Sequence, residues 1–343
     1  MITLILAGCS GTRFWPLSQE NYPKQFLTLF SGKSMIRLTF ERALLFSQVK
    51  DIFIITIQEQ KELIKKHLPE LKDFQIIIEP SGRNTAPCIA YSVLYLKNYF
   101  ALEQNLVILP ADHYIPEHDL FKETMFKAEK EILQQDLLLI FGISPTFPAT
   151  GYGYIEIDAQ NHQSVFHVKH FKEKPDLETA IKYLNSGNYF WNSGMISSSL
   201  GFLLKSFENH APEILESANK VLLEENILQK RELYSRINKQ PFDIAILEKS
   251  ENVFMLPISY QWSDVGKWAS YSDLIPKNND HNFPLNTISI NSKNNFSNTV
   301  KQLALIDVDN LIIIETEDSI LISKRESVEK VKEVVELIKM SNS

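Results

Sequence analysis

The segment best suited to chemistry is a loop of small residues that directly follows the first apolar run. The loop comprises Leu6, Ala7, Gly8, Cys9, Ser10, Gly11, Thr12 and Arg13. Small residues let the backbone approach a phosphate closely, and successive N–H groups with a guanidinium can bind its oxygens. A tight turn with a surface arginine would give the same loop, but Lys24, after the rigid Pro23, adds a second cation. Loop and lysine together predict a phosphate-binding site.

Two widespread nucleotide-binding motifs begin in this chain but are incomplete. Gly32-Lys33-Ser34 ends like a P-loop, but Leu27 stands where that loop has its first glycine. Gly151-Tyr152-Gly153 begins like a dinucleotide-binding fingerprint, but Glu156 stands where its third glycine belongs. The chain also lacks the Gly-x-Ser-x-Gly motif on which α/β-hydrolases place their nucleophile. The sequence therefore disfavours a P-loop ATPase, a Rossmann dehydrogenase and a hydrolase of that type.

The composition is that of an ordinary globular protein. The chain has 343 residues, of which 44% are hydrophobic and 22% charged, which suffices for full cores in roughly two domains. Its formal net charge of −7 disfavours nucleic acid as a partner, because such binding needs clustered basic charge. No apolar run approaches the ~20 residues that cross a bilayer, and two cysteines cannot form a disulfide framework. We expect a cytoplasmic protein without membrane association.

Strand and helix patterns alternate along the first 145 residues. Apolar runs rich in Ile, Val and Leu predict strands at 3–6, 52–57, 75–79, 106–109 and 137–142. Amphipathic stretches predict helices at 34–46, 59–68, 85–100 and 120–134. This alternation is typical of an α/β fold with a parallel sheet covered by helices. In such folds ligands bind beyond the carboxyl ends of the strands, which is where the small-residue loop begins.

The second half of the chain is more mixed. Helices are predicted at 177–185, 200–208 and 212–224, and short strands at 154–157, 165–171, 242–247 and 253–256. An Asn-, Asp- and Pro-rich stretch predicts a linker at 276–286. Short strands at 287–290, 302–306, 311–315 and 319–323 follow, and residues 323–326 fit a capping box before an apolar helix face. We find no strong internal repeat. The predicted domains are 1–275, the linker, and a small β unit closed by a helix at 287–343.

Several motifs occur in the order and spacing of one enzyme family. They are the segments 6–13, 23–26, 79–87, 110–113, 151–155, 171–175, 192–195, 242–249 and 262–266. Through them, nearly the whole chain resembles the sugar-nucleotide pyrophosphorylases, and among these the mannose-1-phosphate guanylyltransferases. The resemblance implies a Rossmann-like nucleotidyltransferase domain with a mixed, mainly parallel sheet flanked by helices, followed by the small β unit. Some longer members end in a cupin-type isomerase domain, which this chain lacks, so we expect a single activity.

The resemblance also implies a reaction. The phosphate of mannose 1-phosphate would attack the α-phosphorus of GTP in line and release pyrophosphate, with Mg²⁺ as the cofactor. GTP and mannose 1-phosphate are therefore the expected partners, and a homodimer is possible. Three alternatives stay open at this point: another sugar 1-phosphate, another nucleoside triphosphate, or a non-catalytic nucleotide-sugar sensor.

Each predicted site residue takes its role from the matching family motif. The residues expected to act in catalysis are Arg13, Lys24, Asp112, Lys174 and Asp264. Those expected at the nucleotide are Leu6, Ala7, Gly8, Gly11, Thr12, Arg13, Lys24, Glu79, Pro80, Arg83, Asn84, Thr85 and Asp112. Those expected at the sugar phosphate are Gly153, Glu173, Lys174 and Asn192. Asp112 and Asp264, whose carboxylate oxygens suit Mg²⁺, are expected to bind the metal once folding brings them together.

The chain departs from the family pattern in the loop and after Met195. Cys9 and Phe14 stand where the family usually has Gly and Leu. A side chain at position 9 could crowd the phosphates, or cysteine could be small enough to fit without effect. A thiolate would also be favoured beside Arg13. We therefore expect alkylation of Cys9 to block GTP binding. Residues 196–199 are more polar than the family's usual apolar run, which puts the packing of this segment in question.

Overall fold

A computed structural model describes residues 1–8, 11–158 and 164–341. The chain divides into two compact units whose segments alternate along the sequence. Within the described residues, the first unit comprises 1–8, 36–111, 115–158 and 164–262, and the second comprises 11–35, 112–114 and 263–341. The predicted domain limits stay a prediction. Cys9, with its predicted reactivity, lies outside the described residues.

The first unit is built on a nine-stranded mixed sheet. Its strands are β1 (Ile2–Leu6), β2 (Ile52–Ile57), β3 (Ile76–Glu79), β4 (Asn105–Pro110), β5 (Leu138–Ile143), β6 (Gly153–Ile157), β7 (Phe166–Glu173), β8 (Tyr189–Ser199) and β9 (Val253–Pro257). They lie in the order β3-β2-β1-β4-β8-β5-β9-β7-β6, and β6 also pairs with β8. Pairing is parallel through β3-β2-β1-β4 and between β5 and β9. The other pairs are antiparallel.

Helices alternate with these strands as the sequence predicts. They are α1 (Met35–Ala43), α2 (Lys61–His67), α3 (Thr85–Leu96), α4 (His118–Ile132), α5 (Leu177–Ser186), α6 (Leu200–His210), α7 (Pro212–Leu223) and α8 (Ile227–Ser235). Apolar side chains of the sheet pack with those of α3, α6 and α7 into one core. None of the helices in the described part of the chain has the length and apolar character needed to span a bilayer.

Local sequence explains where several helices begin and end. Asp176 and Ser199 cap α5 and α6, where their side-chain oxygens accept the backbone N–H groups of Thr179 and Phe202. Pro212 opens α7, where its missing N–H would have had no helical partner. Gly187 ends α5 in the left-handed conformation, with φ 76°, which glycine adopts without steric cost.

The predicted strand at 242–247 is wrong. Residues Asp243–Leu247 form a π-helical turn instead. The last three of these residues are all buried, so the run is apolar without the alternation that distinguishes a strand, and short apolar runs do not discriminate strand from helix. π-Helical turns recur at functional sites, and this one carries a residue discussed below.

The polar segment at 196–199 packs without unpaired hydroxyl groups on its buried serines. Ser197 and Ser198 are at most 1% exposed in β8. Their hydroxyls donate to the carbonyls of Leu106 and Leu137, at 3.3 and 2.8 Å. Because a buried hydroxyl is costly only when it lacks a partner, this segment tolerates its unusual polarity.

The second unit contains short strands and two helices. They are β10 (Ile288–Ile290), β11 (Phe296–Asn298), β12 (Ala304–Ile306), β13 (Leu311–Glu315) and β14 (Ile320–Lys324), with α9 (Trp268–Leu274) and α10 (Val331–Ser341). The predicted β unit closed by a helix is therefore confirmed. The predicted capping box is wrong, because Ser323 lies in β14 and its hydroxyl bonds to the Lys324 carbonyl. A 3-10 turn (Arg325–Lys330) leads into α10 instead.

Strands of the second unit stack in a coil that repeats every sixteen residues. Ile288 lies opposite Ala304, and Phe296 lies opposite Ile312, in parallel pairs with this offset. The buried Asn295 accepts the Leu311 N–H, again sixteen residues away, at 2.9 Å. Sequence inspection missed this repeat because most stacked positions hold different residue types, with Ile290 and Ile306 and with Asn294 and Asn310 as exceptions. The period is therefore clear in the backbone pairing but weak in the sequence.

Candidate active site

One ammonium group joins both predicted metal ligands in the second unit. Lys24 Nζ donates to Asp112 Oδ2 at 2.8 Å and to the backbone carbonyl of Asp264 at 2.5 Å. An antiparallel bridge between Tyr114 and Ser263, with N–O distances of 2.9 and 3.1 Å, holds the two aspartate segments side by side. The fold thus brings Lys24, Asp112 and Asp264 together from three distant parts of the chain.

Lys24 is held tightly by its surroundings. Its side chain is only 8% exposed, and its ammonium lies 5.7 Å from the centre of the Phe14 ring, within the range of a cation–π contact. Phe14 is itself fully buried, 4.7 Å from the ring of Trp268. A Cβ on Gly11 would lie 3.1 Å from Lys24 Cβ, so the loop needs glycine there. The unusual Phe14 therefore forms part of the support of the lysine.

The loop that carries Asp264 holds backbone strain. Val265 has φ 45°, which is rare for a β-branched residue, and its N–H is held by the Ser263 hydroxyl at 3.0 Å. Asp264 Oδ1 accepts the Gly266 N–H at 3.1 Å. A Cβ on Gly266 would lie 2.7 Å from Asp264 Oδ2. Strain of this kind persists where the surroundings over-determine a conformation, and it concentrates at functional sites.

The carboxylates at this corner suit a divalent metal ion. Burial alone would raise the pKa of Asp112, but the Lys24 ammonium, His113 and hydrogen bonds lower it below its usual value, so Asp112 is ionised at neutral pH. Among the described residues, no group of three or more His, Cys, Asp or Glu side chains could hold a metal ion. Mg²⁺, however, takes few protein carboxylates and completes its shell with water and phosphate oxygens. Asp112 accepts the Lys24 ammonium through its carboxylate and Asp264 accepts it through its backbone carbonyl. The two residues therefore bring two carboxylates to this corner, which fits such an ion.

The four residues predicted at the sugar phosphate form one cluster in the first unit. Gly153 and Glu173 lie opposite each other in the β6–β7 pair. A Cβ on Gly153 would lie 2.8 Å from Glu173 Oε2 and 3.4 Å from Asn192 Cβ. The Lys174 ammonium pairs with the Glu173 carboxylate, and Lys174 has φ 45°, a second strained residue in a predicted site segment.

Asp243 joins this cluster, although the sequence analysis did not place it in the site. Asn192 Nδ2 donates to Asp243 Oδ1 at 2.8 Å, and Asn192 Oδ1 accepts the Gly194 N–H at 3.2 Å. Burial and the neighbouring Glu173 carboxylate raise the pKa of Asp243 to about 6. The sequence indicated Asp243 only through its position in the 242–249 motif. The strand predicted there gave no reason to connect Asp243 with Asn192.

Glu79, at the end of β3, is the centre of a buried network in the first unit. Its side chain is 3% exposed, and its Oε1 accepts the Tyr234 hydroxyl at 2.8 Å and the Arg83 N–H at 3.2 Å. Burial raises the pKa of Glu79, and hydrogen bonds from Tyr234, the Arg83 backbone and Cys88 offset only part of the rise. A Cβ on Gly8 would lie 3.3 Å from Glu79 Oε2. Sequence analysis missed Tyr234, which lies outside every motif.

The residues that follow Glu79 use their side chains within the fold. The Arg83 guanidinium donates to the Ile237 carbonyl at 3.0 and 2.7 Å. Asn84 caps α3 by accepting the Thr85 N–H at 2.8 Å, and the Thr85 hydroxyl accepts the Phe242 N–H at 2.8 Å. These contacts fix the segment that starts at Pro80, and its role at the nucleotide stays a prediction.

The small-residue loop is described on both sides of residues 9 and 10. Leu6 and Ala7 extend the pairing of β1. The Leu6 carbonyl accepts the Ala111 N–H at 3.1 Å, and the Ala7 N–H donates to the Ile55 carbonyl at 2.8 Å. Thr12 and Arg13 lie in a 3-10 turn, with Arg13 exposed. The predicted binding of a phosphate by this loop stays a prediction.

Comparison with known proteins supports the family drawn from the motifs. A family model described as nucleotidyl transferase matches residues 2–281, and one described as a MannoseP isomerase/GMP-like beta-helix domain matches residues 285–338. The chain belongs to the nucleotidyl transferase family. The predicted family membership and fold class are thereby confirmed.

Individual relatives of this nucleotidyl transferase match along nearly all of it. Mannose-1-phosphate guanylyltransferase 2 of Escherichia coli O157:H7 is 33% identical over 99% of this chain and 74% of its own length. The xanthan biosynthesis protein XanB of Xanthomonas campestris pv. campestris (strain B100) is 34% identical over 99% of this chain and 73% of its own length. A crystal structure described as a mannose-1-phosphate geranyltransferase from Thermus thermophilus superposes with a TM-score of 0.88 at 25% identity, covering 98% of this chain and 99% of the other.

Family membership establishes the type of reaction. Enzymes of this family transfer a nucleotide from a nucleoside triphosphate onto a sugar 1-phosphate, and they generally use a divalent metal ion. This nucleotidyl transferase is an enzyme of that type.

We expect Gly153→Ala to impair nucleotide transfer, because the added methyl would collide with Glu173 and with the Phe171 ring, each 2.8 Å from it. Displacement of Glu173 would weaken its hydrogen bond to the sugar, and a loss of about 1.4 kcal/mol of binding free energy corresponds to a rise of roughly 10-fold in the KM for the sugar 1-phosphate. The measurement is pyrophosphate release as a function of sugar phosphate concentration. Gly151→Ala is the matched control, since a Cβ there meets nothing within 4 Å. Equal kinetics for both variants would contradict the assigned role of the cluster.

Proposed function

We propose that this nucleotidyl transferase transfers GMP from GTP to mannose 1-phosphate, forming GDP-mannose and pyrophosphate. The observation that carries this proposal is the corner at which the Lys24 ammonium contacts Asp112 and Asp264. It supplies both a cation for phosphate oxygens and two carboxylates for a divalent ion. The choice of substrates is supported by the name mannose-1-phosphate guanylyltransferase, which is carried by the Escherichia coli O157:H7 relative at 33% identity and by a second Escherichia coli relative at 34% identity over 99% of this chain.

The reaction needs no nucleophile from the protein. The phosphate of a sugar 1-phosphate is ionised at neutral pH, so one of its oxygens can form a bond to the α-phosphorus while the bond to the leaving pyrophosphate breaks. The obstacle is the repulsion between two polyanions and the charge that grows on the leaving group. Catalysis therefore consists of positioning and of electrostatic stabilisation by fixed groups.

The positively charged side chains divide this work. We assign Arg13 and Lys24 to the phosphates of the nucleotide and Lys174 to the phosphate of the sugar. The metal ion, proposed to be Mg²⁺ held by Asp112 and Asp264, supplies further positive charge at the phosphate oxygens when bound. The burial of Lys24 supports its assignment, because a charge contact is stronger where water is excluded.

Glu79 is the residue that we assign to the base. A carboxylate only accepts hydrogen bonds, and guanine presents adjacent donors at N1 and N2, whereas adenine and cytosine present an acceptor at the corresponding ring position. Tyr234 and the Arg83 N–H hold Oε1, and Oε2 lies towards Gly8. Uracil and thymine present a single donor at N3 without an adjacent amino group. A carboxylate fixed in this way therefore favours GTP over other nucleoside triphosphates.

The cluster around Gly153 is assigned to the sugar. Glu173 can accept hydrogen bonds from sugar hydroxyls, and Asn192 can both donate and accept. The absent side chain at Gly153 leaves space next to both residues. A cytoplasmic location and a homodimer remain predictions that accompany this proposal.

A panel assay tests the proposed substrates. Pyrophosphate release is measured with each common nucleoside triphosphate against mannose, glucose and galactose 1-phosphates, and we expect GTP with mannose 1-phosphate to give the highest kcat/KM. We expect Glu79→Gln to reduce the preference for GTP by about 10-fold, since one charged acceptor is lost. The exposed Glu62 provides the control variant Glu62→Gln. A wild-type preference for another pair, or an unchanged preference in Glu79→Gln, would count against these assignments.

We expect Asp112→Asn to fold normally and to lose turnover. Asparagine keeps an acceptor for Lys24 but removes the charge, so kcat should fall by on the order of 100-fold, and more Mg²⁺ should be needed for half-maximal activity. Urea unfolding checks the fold, and the exposed Asp119 gives the control variant Asp119→Asn. An Asp112→Asn enzyme with wild-type kcat and an unchanged Mg²⁺ requirement would rule out the metal assignment.

A further inference from the structure

Asp243 is hydrogen-bonded to the sugar cluster through Asn192. Its Oδ1 lies 2.8 Å from Asn192 Nδ2, and Asn192 borders the space left by Gly153, as does Glu173. Asp243 therefore lies behind one of the residues that we assign to the sugar. An acidic residue in this place can act on the substrate through Asn192.

The two ends of an asparagine amide have the same shape but opposite hydrogen-bonding chemistry. A half-turn of the amide of Asn192 would exchange its oxygen and its NH₂ group without any change in packing. Only hydrogen-bond partners can fix the orientation of the amide, and Asn192 has two such partners. The Gly194 N–H donates to Oδ1 at 3.2 Å, and Asp243 accepts from Nδ2 at 2.8 Å. The reversed amide would set oxygen against carboxylate and N–H against N–H.

Asp243 is itself held in place by its backbone. It begins the π-helical turn Asp243–Leu247, and the preceding Phe242 is 1% exposed. The Phe242 N–H donates to the Thr85 hydroxyl at 2.8 Å, and the Gln240 carbonyl accepts the Ala86 N–H at 3.1 Å. The start of α3 thus anchors the chain on which the carboxylate sits, so the Asn192 contact is preorganised rather than formed on binding.

We propose that Asp243 is a positioning residue of the sugar site, which holds the Asn192 amide in the orientation that binds a hydroxyl of the sugar 1-phosphate. This inference rests on the proposed function of the cluster. The bond to Asp243 uses one N–H of Nδ2, and the amide carries a second N–H for a sugar oxygen. Loss of the Asp243 acceptor would let the amide turn, and the site would then present the wrong group to the substrate.

The charge environment gives this contact a pH dependence. Burial, Glu173 and Glu248 raise the pKa of Asp243, a backbone hydrogen bond and Lys174 lower it, and the net result is a pKa of about 6. Asp243 is therefore ionised above this pH and becomes protonated as the pH falls through it. The protonated form is the weaker acceptor, so the KM for the sugar 1-phosphate should rise below about pH 6 while the KM for the nucleotide does not follow.

The test compares Asp243→Ala with Asp243→Asn in the full chain. Alanine removes the acceptor, so we expect the KM for the sugar 1-phosphate to rise about 10-fold with the KM for the nucleotide unchanged. Asparagine can still offer its Oδ1 to Asn192, so this variant should restore a KM near the wild-type value at pH 7.5 and lose the rise at low pH. Glu156→Gln is the matched control, because Glu156 also accepts an asparagine amide, that of Asn188, at 3.3 Å.

A second readout does not depend on activity. In protein labelled with ¹⁵N-asparagine, the side-chain amide signal of Asn192, identified by its loss in Asn192→Ser, should exchange slowly with water in the wild type. It should exchange faster in Asp243→Ala but not in Asp243→Asn. Unchanged exchange in Asp243→Ala overturns the proposal whatever the enzyme's substrates are. Faster exchange with an unchanged KM for the sugar phosphate also overturns it.

A failure of the proposed function has a different signature. If the wild type releases no pyrophosphate with any pair in the panel, the proposed substrates are wrong, and the amide exchange still decides whether Asp243 fixes Asn192. A rise in KM for both substrates in Asp243→Ala and Asp243→Asn alike would indicate a general loss of structure and would contradict a positioning role.

Discussion

The contact of the Lys24 ammonium with Asp112 and Asp264 is the constraint on which the candidate site depends. It ties together positions that are 88 and 240 residues from the lysine. The ammonium compensates the charge of the Asp112 carboxylate and bonds to the Asp264 backbone carbonyl, so the lysine holds the two segments side by side before any substrate arrives. The same negative charge then makes the corner suitable for a metal ion, and the buried lysine keeps a fixed positive charge next to it.

Four charged side chains of the candidate site have a glycine beside them. A Cβ on Gly8, Gly11, Gly153 or Gly266 would lie within 3.3 Å of Glu79, Lys24, Glu173 or Asp264, respectively. Gly151 and Gly82, in the same motifs, have open space around them. The first four glycines make room for functional groups, and the other two do not. The first four positions therefore need glycine because a functional side chain packs closely against them. The sequence alone does not show which glycines are of this kind.

Much of the fold was predictable from the sequence because its signals are local. The strands of the first 145 residues are continuous apolar runs, and Asp176, Ser199 and Pro212 mark helix starts through contacts within one turn. The sequence predictions are wrong where tertiary contacts determine the local conformation. The run at 242–247 becomes a π-helical turn, and Ser323 stays in a strand. The sixteen-residue coil was missed because its period lies mainly in the backbone pairing rather than in residue types.

The candidate site was predictable only as a set of motifs. Tyr234 is distinguished by its hydrogen bond to Glu79 on β3 and Asp243 by its hydrogen bond to Asn192 on β8, and both partners lie far away along the chain. The positive φ values of Val265 and Lys174 are equally invisible in the sequence, since neither residue type favours them. The motifs therefore predicted which segments form the candidate site. The structure shows in addition which side chains hold these segments in position.

Anomalous diffraction from crystals grown with Mn²⁺ and a non-hydrolysable GTP analogue tests the central claim most directly. We expect a manganese peak with oxygen atoms of both Asp112 and Asp264 at about 2.2 Å, a usual distance for small divalent ions, and with the remaining ligands from water and phosphate. A peak on the nucleotide phosphates that touches neither carboxylate would contradict the account.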